Sequence, residues 1–156
     1  MRVVLDTNIL ARAVPGASGP AREVLETMAV APHLLVTAPQ LLDELKRVLA
    51  YPRLRAIHGL DDPEITQYVR NVEAASLVVP ITTFSVTAIQ SDPDDNAVIA
   101  TAIAGQAEVI CTRDQHFRQK NVVDFCAQHG ILILDDVELL TVIRASGGHG
   151  QQPLQP

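Results

Sequence analysis

Four acidic residues that are far apart in the chain occupy similar places, at the end of an apolar, strand-like segment or inside the helix that follows one. They are Asp6 in VVLDTN, Glu44 in PQLLDELKRVL, Asp95 in SDPDDNAVIATA and Asp114 in VICTRD. If the strands form one parallel sheet, the four carboxylates meet at the edge where such sheets bind ligands. Clustered carboxylates repel one another unless a cation lies between them. A divalent metal is the simplest such cation, and it indicates phosphodiester chemistry.

Each of these acids also has an ordinary explanation when it is taken alone. Asp6 can cap a helix that starts at Thr7, and Asp114 can be a turn residue at the end of its strand. Glu44 can form a salt bridge with a nearby arginine. The individual signals are weak, but the coincidence of all four favours a shared site.

The periodicity of the predicted helix distinguishes Glu44 from the neighbouring acid, Asp43. At about 100° per residue, Glu44 lies at the edge of the buried stripe, whereas Asp43 is predicted on the opposite side, facing solvent. A carboxylate beside the core is costly unless it is paired or bound to a metal, so Glu44 is the stronger candidate. The stripe consists of Leu41, Leu42, Leu45, Val48 and Leu49.

The acidic run at 92–95 begins another helix. Asp92 suits the N-cap and Pro93 the first helical position, with Asp94 and Asp95 in the first turn. Asp95 is the preferred site residue because it falls on the apolar stripe of that helix. Asp92 and Asp94 remain alternatives for the same contact. The residues that share the stripe with Asp95 are Val98, Ile99 and Ala102.

Basic residues follow Glu44 and surround Asp114. Most charges of this kind are merely solvated, but cations beside a site of phosphodiester chemistry can hold the phosphates of a nucleic acid. Thr112, a neighbour of Asp114, is a further polar candidate, because its hydroxyl could hydrogen-bond a metal-bound water or orient a carboxylate. The basic candidates are Lys46, Arg47, Arg53, Arg113 and Arg118.

The elements predicted to position these residues alternate between strand and helix, which is typical of a parallel sheet covered on both faces. We therefore expect an α/β fold, a three-layer α/β/α sandwich with a central, mostly parallel sheet. The domain is expected to span 1–145, and 146–156 is expected to be a disordered tail. The segment RLRAIHGLDD is a loop or a short helix. Strands are predicted at 2–5, 34–37, 77–79, 108–112 and 131–134, and helices at 21–28, 39–50, 63–75, 92–104, 122–129 and 137–145.

Composition limits the class of protein. The chain has 156 residues, 47% of them hydrophobic, which suits one globular domain. Its formal net charge of −6 argues against a protein that coats nucleic acid nonspecifically. Two cysteines without a CxxC arrangement indicate neither a disulfide framework nor a zinc knuckle. No membrane span and no signal peptide are expected, so the predicted location is the cytoplasm.

The motifs together resemble a PIN domain, the metal-dependent nuclease fold that is common among toxins of type II (VapC-like) toxin–antitoxin pairs. The resemblance covers about 2–145. It rests on VVLDTNIL, the Glu44 helix, DPDDNAVIATAI and VICTRDQHF, and the DPDDN and TRDxxF forms are similar to those of PIN-family toxins.

The resemblance implies a Rossmann-like sheet and an acidic site made of Asp6, Glu44, Asp95 and Asp114. Asn8 and Thr112, with Asp92 and Asp94, are expected to support it. The same resemblance implies a Mg²⁺ or Mn²⁺ cofactor, an RNA substrate, a small antitoxin protein as partner, and a homodimer. Oxygen ligands without cysteine or histidine are the set that these ions prefer.

Three functions compete. The leading hypothesis is a metal-dependent endoribonuclease that cleaves RNA phosphodiester bonds as the toxin of a two-gene pair. The alternative is a catalytically silent PIN-like domain that binds RNA or serves as a scaffold, which has no need for four mutually repelling acids. A phosphatase-like hydrolase is disfavoured because Asp6-Thr7-Asn8 lacks the second early aspartate.

Overall fold

Five parallel strands form a single sheet in the computed structural model, which describes residues 1–81 and 93–147, without the side chains at 93–95 and 147. The strand order is β3-β2-β1-β4-β5, so the first strand lies at the centre. In the register of the sheet, Val4 lies opposite both Val36 and Ile110. The strands are β1 (Arg2–Leu5), β2 (Leu34–Thr37), β3 (Ser76–Val78), β4 (Val109–Cys111) and β5 (Leu132–Leu134).

Helices connect these strands, and the sequence explains where several of them begin. Proline stands in the first turn of five of the described helices, where its missing N–H costs nothing. In one of them, Asp61 and Glu64 also form a reciprocal capping box at the helix start. The helices are α1 (Thr7–Leu10), α2 (Pro20–Met28), α3 (Pro39–Leu49), α4 (Pro52–His58), α5 (Asp62–Ala74), α6 (Pro93–Ala104), α7 (Lys120–Gln128) and α8 (Asp136–Gly147), with a 3-10 turn at Gln115–Arg118.

Alternate residues of the central strand face two separate hydrophobic clusters. Val3 and Leu5 belong to the cluster that includes buried residues of α1, α2, α5 and α8. Val4 belongs to the cluster on the other face, with buried residues of α6 and α7. Both faces of the sheet are therefore covered, and the predicted three-layer α/β/α sandwich is confirmed.

The structure differs from the predicted elements mainly in short elements and at the ends of longer ones. The 3-10 turn is not among the predicted elements, and α1 corresponds to the helix considered only in the ordinary explanation of Asp6. The segment RLRAIHGLDD, predicted as a loop or a short helix, holds all but the first residue of α4. Ser146 and Gly147 continue α8 rather than beginning a tail. The remainder of the predicted disordered tail, at 148–156, and the predicted crossing at 82–92 lie outside the described residues.

No helix within residues 1–81 and 93–147 is both long enough and apolar enough to cross a membrane.

Candidate active site

Asp6 is the centre of a hydrogen-bonded cluster at the carboxyl end of β1. It is 5% exposed, and its Oδ1 accepts a hydrogen bond from the Thr7 backbone N–H at 2.7 Å. Its Oδ2 accepts from the Thr112 hydroxyl at 2.6 Å and from the Asn8 side-chain amide at 2.8 Å. Asp6 thus caps α1, as its ordinary explanation required, and also joins β1 to the residue after β4.

Burial has a marked effect on the charge of Asp6. Removal of the carboxylate from water raises its pKa from 3.8 to about 6, because the charged form loses hydration. Hydrogen bonds from Thr112 and Thr7 act in the opposite direction, while the negative charges of Glu44 and Asp114 raise the pKa further. The ionised form of Asp6 is therefore poorly stabilised by the surrounding protein alone.

Glu44 projects from α3 toward the same cluster. Its side chain is half-buried, and Oε2 accepts a hydrogen bond from the Thr7 hydroxyl at 2.9 Å. Thr7 therefore links the two acids: its hydroxyl donates to Glu44, and its backbone N–H donates to Asp6.

Asp43 is exposed, in agreement with the predicted helical phase, but it is not on the opposite side of α3. It lines the same cavity as Glu44, so that part of the prediction was wrong. The physical reason is simple: adjacent residues of a helix are separated by about 100°, which leaves both at the rim of one groove.

Asp114 follows β4 at the same edge of the sheet, and its side chain is 32% exposed. Its backbone N–H donates to the Thr112 hydroxyl at 3.0 Å, and its Oδ1 accepts from the His116 backbone N–H at 2.9 Å. Asn8 accepts from the backbone N–H of Arg113 at 3.1 Å and so holds the same loop from the other side. A continuous network consequently runs from Glu44 through Asp6 to Asp114.

The remaining predicted acids cannot be placed in this network. The backbone of α6 begins at Pro93, but the side chains of Asp94 and Asp95 and all of Asp92 lie outside the described residues. The network as described therefore contains three of the four predicted principal acids.

The donor chemistry of this cluster fits a hard divalent cation, since it consists of carboxylate, hydroxyl and amide oxygens. The raised pKa of Asp6 points the same way, because a nearby cation would favour its ionised form. Within the described part of the chain, no three acidic, histidine or cysteine side chains already converge as a metal site. The fit thus rests on ligand type and charge rather than on a preformed cage.

A cavity of about 360 Å³ opens beside Glu44. Arg47, one turn further along α3, lies in its wall and has no ion-pair partner among the described residues. Lys46 is also exposed on α3, and Arg53 is exposed on α4. The described lining residues are Gln40, Leu41, Asp43, Glu44, Arg47 and Ala97.

Two of the five predicted RNA-binding cations already have carboxylate partners. The guanidinium of Arg113 donates to the Asp136 carboxylate through Nε at 2.6 Å and through Nη2 at 2.9 Å. This hydrogen bonding raises the pKa of the guanidinium. Arg118 Nη2 lies 2.5 Å from Glu138 Oε2. These pairs weaken the expectation that Arg113 and Arg118 hold phosphates, because their charge is largely neutralised within the protein.

Sequence reasoning missed the roles of Thr7 and Asp136 in this network. Thr7 is 6% exposed and Asp136 is 1% exposed, so both polar groups are buried. Asp135 directly follows the strand-like run ILIL, as Asp6 follows RVVL, and Asp136 comes one residue later. That pair of aspartates at a strand end is the signal that could have drawn attention to Asp136. Thr7 offers no comparable signal, because a threonine at a helix start is common.

The comparisons with known proteins agree with this architecture. The family model described as "PIN domain" matches residues 2–116, about three quarters of the chain. Among curated proteins, none matches the chain significantly.

Two solved structures are similar in fold. The crystal structure of VapBC2 from Rickettsia felis, bound to a DNA fragment from their promoter, has a TM-score of 0.58 and 15% identity, and covers 86% of this chain and 100% of that chain. The crystal structure of FitAcB from Neisseria gonorrhoeae has a TM-score of 0.50 and 16% identity, and covers 86% and 98%. At such identities the likeness concerns the fold. The family match over most of the sequence carries the assignment: this chain belongs to the PIN domain family.

Proposed function

We propose that this PIN domain is a metal-dependent endoribonuclease, and that it is the toxin of a toxin–antitoxin pair. The observation that carries the proposal is the network that joins Glu44, Asp6 and Asp114 at the carboxyl edge of the sheet. PIN domains are generally nucleases, and a cluster of buried and half-buried acids is an expensive arrangement for a domain that only binds or scaffolds.

Asp6, Glu44 and Asp114 are proposed as the acids that hold Mg²⁺ or Mn²⁺, with Asp95 as the fourth and Asp92 or Asp94 as its alternatives. When bound, such an ion supplies positive charge that activates water and stabilises the departing oxygen of a phosphodiester. The surrounding residues orient the acids. Thr112 and Asn8 donate to one oxygen of Asp6, and Thr7 donates to Glu44, which fixes the directions of the remaining lone pairs.

RNA is proposed to cross the cavity beside Glu44. The volume of about 360 Å³ is within the range of small-molecule sites and can admit one nucleotide of an unpaired strand. Arg47 is the favoured phosphate partner because it lies in the cavity wall and its charge is not used in an ion pair with a described residue. Lys46 and Arg53, which follow Glu44 in the sequence, are exposed and add weaker, diffuse attraction for the phosphates.

The partner is proposed to be a small antitoxin protein. The protein is proposed to act in the cytoplasm, where RNA is present. A peptide that places an arginine or lysine among the carboxylates would replace the charge of the metal. This proposal is supported by the fold likeness to VapBC2 and by the acidic cluster itself. The homodimer implied by the family resemblance belongs to the same proposal, and gel filtration of the purified chain measures it.

Cleavage of short labelled RNAs by the purified protein tests the proposed activity. Unstructured and hairpin RNAs of equal length are incubated with Mg²⁺, with Mn²⁺ and with EDTA. We expect cuts in unpaired segments that require metal and that disappear in Asp6→Asn. Cleavage that persists in EDTA, or that Asp6→Asn retains in full, would point to a contaminating nuclease and remove the proposal.

Inhibition by the product of the neighbouring gene tests the proposed partner. If a basic side chain of that product competes with the metal, inhibition should weaken as Mg²⁺ rises. Inhibition that is independent of Mg²⁺ would place the block on the RNA cavity instead. If neither inhibition nor a complex on gel filtration is observed, the domain is a stand-alone nuclease.

A further inference from the structure

Asp136 is a buried carboxylate that the proposed chemistry does not use. It is the first residue of α8 and follows β5, the strand that pairs with β4. The backbone N–H of Thr112 also donates to Leu134 at 2.9 Å, so the ends of these two strands remain joined beyond the ladder. Asp136 therefore lies at the same edge of the sheet as Asp6 and Asp114.

The partner of Asp136 is Arg113, the residue directly before Asp114. Its two guanidinium nitrogens bind the two carboxylate oxygens at 2.6 and 2.9 Å, which fixes the plane of the guanidinium as well as its distance. The side chain of Asp136 is 1% exposed and that of Arg113 is 39% exposed, so the pair is anchored from the protein interior.

Arg113 is held at its other end as well. Its backbone N–H donates to Asn8, and Asn8 in turn donates to Asp6. The residue before Asp114 is thus fixed through its backbone to one acid of the site and through its side chain to Asp136. Such a two-point hold limits the positions that Asp114 can take relative to Asp6.

A second ion pair joins the same two segments at the surface. Arg118 contacts Glu138, whose carboxylate also accepts from the Asp135 backbone N–H in a capping box. Because this pair also ties the β4 loop to α8, the buried pair is not needed merely to connect them. The buried pair differs from the surface pair because it acts on Arg113, the residue adjacent to Asp114.

We propose that Asp136 is a positioning residue, which acts through Arg113 to hold Asp114 where it can share a divalent cation with Asp6. This inference rests on the proposed function of the site. Ion-binding groups depend on such supporting partners, and their loss typically reduces metal affinity by about 10-fold to 100-fold.

Asp136→Asn and Arg113→Lys test the proposal, with Glu138→Gln as the matched control. Asparagine has an amide NH₂ in place of one carboxylate oxygen, so it cannot accept from both guanidinium nitrogens at separate atoms, and lysine keeps the charge but not the planar fork. In both variants Mn²⁺ affinity, measured by calorimetry, should fall about ten-fold or more. In metal-free protein, the amides of Arg113 and Asp114 should exchange with deuterium faster. Glu138→Gln removes a surface pair to α8 and should leave both quantities near the wild-type values.

Three outcomes separate the possibilities. If Asp136→Asn lowers the melting temperature but leaves Mn²⁺ affinity and amide exchange unchanged, the pair is structural only and the proposal is overturned. Equal losses in Glu138→Gln would also overturn it, because general loosening of α8 would explain them. Arg113→Lys retains a cation opposite the buried acid, so it remains informative if Asp136→Asn does not fold. Failure of the wild-type protein to cleave RNA would remove the proposed activity but would leave these metal-binding and exchange results interpretable.

Discussion

The hydroxyl of Thr7 donates to Glu44 Oε2 at 2.9 Å, and the backbone N–H of the same threonine donates to Asp6 at 2.7 Å. One small residue therefore sets the separation of two acids that come from different elements. Among the described residues, no other hydrogen bond orients Glu44 beyond the packing of α3.

Thr7→Val should impair the site through Glu44. Valine has nearly the same shape but cannot donate, so Glu44 loses its hydrogen bond. We expect RNA cleavage to fall about ten-fold and the free energy of unfolding to fall by about 1.5–3 kcal/mol, as for a hydrogen bond to a charged group. Thr7→Ser keeps the hydroxyl and should restore most of the activity. Equal activity of the valine and serine variants would contradict the role given to this hydrogen bond.

Glu44→Gln should abolish cleavage, whereas Asp43→Asn should reduce it by no more than a few-fold. The glutamine oxygen can still accept from Thr7, so the fold is preserved while the charge is lost. Asp43 lines the cavity, but no hydrogen bond links it to the described network. The measurement is the initial cleavage rate of one labelled RNA at saturating metal. Comparable losses in both variants would mean that Asp43, not only Glu44, belongs to the acidic site.

Asp6→Asn should stabilise the metal-free protein at neutral pH. The pKa of Asp6 is raised from 3.8 to about 6, so its contribution to stability is present below pH 3.8 and is lost as the pH rises through 6. The shift corresponds to a cost of about 3 kcal/mol, from which the loss of one hydrogen bond leaves a gain of about 1–2 kcal/mol.

Urea unfolding in EDTA at pH 8 and at pH 4 measures this effect. The advantage of Asp6→Asn should be present at pH 8 and shrink at pH 4, where wild-type Asp6 is largely protonated. Addition of Mg²⁺ at pH 8 should favour the wild type instead. A variant that is less stable than the wild type at both pH values in EDTA would show that the hydrogen bonds outweigh burial.

Arg47→Ala should weaken RNA binding with little effect on the chemical step. Loss of one phosphate contact should raise KM and lower the slope of log affinity against log salt by about 0.7 for a single strand. Arg118→Ala is the control, because that guanidinium is already paired with Glu138. Fluorescence anisotropy of an RNA oligonucleotide in EDTA, at several salt concentrations, gives the affinity and its salt slope. Steady-state cleavage with metal gives KM and kcat. A larger effect from Arg118 than from Arg47 would move the RNA path away from the cavity.

Gly105→Ala should destabilise the fold by about 1–3 kcal/mol, because a Cβ at this position would overlap Val36 Cγ1. Val36 is a buried residue of β2, so it cannot move freely. Val36→Ala removes the overlapping methyl group, so adding Gly105→Ala to that variant should cost less than it costs in the wild type, although contacts of 3.2 Å with Val36 Cβ and Thr101 O remain. Strictly additive losses in thermal unfolding would show that the end of α6 relaxes instead.

The fold was largely predictable because short apolar runs and proline or acidic helix starts are local signals. The exposure of Asp43 and the half-burial of Glu44 likewise follow from the leucine stripe of one helix. The pairing of Arg113 with Asp136 was not predictable, because the partners are 23 positions apart and a charge in sequence gives no sign of its partner. The same limit applies to Thr7 and Glu44, which are 37 positions apart.

The central place of β1 has a consequence for synthesis of the protein. Asp6 is made before β4, with which β1 pairs, and Asp114 and Asp136 follow later still. During translation, the ribosome must release the chain as far as α8 before the whole network can assemble. A truncated nascent chain that lacks β4 also lacks Thr112, the donor to Asp6. Incomplete products of synthesis are therefore built without the arrangement on which the proposed nuclease activity depends.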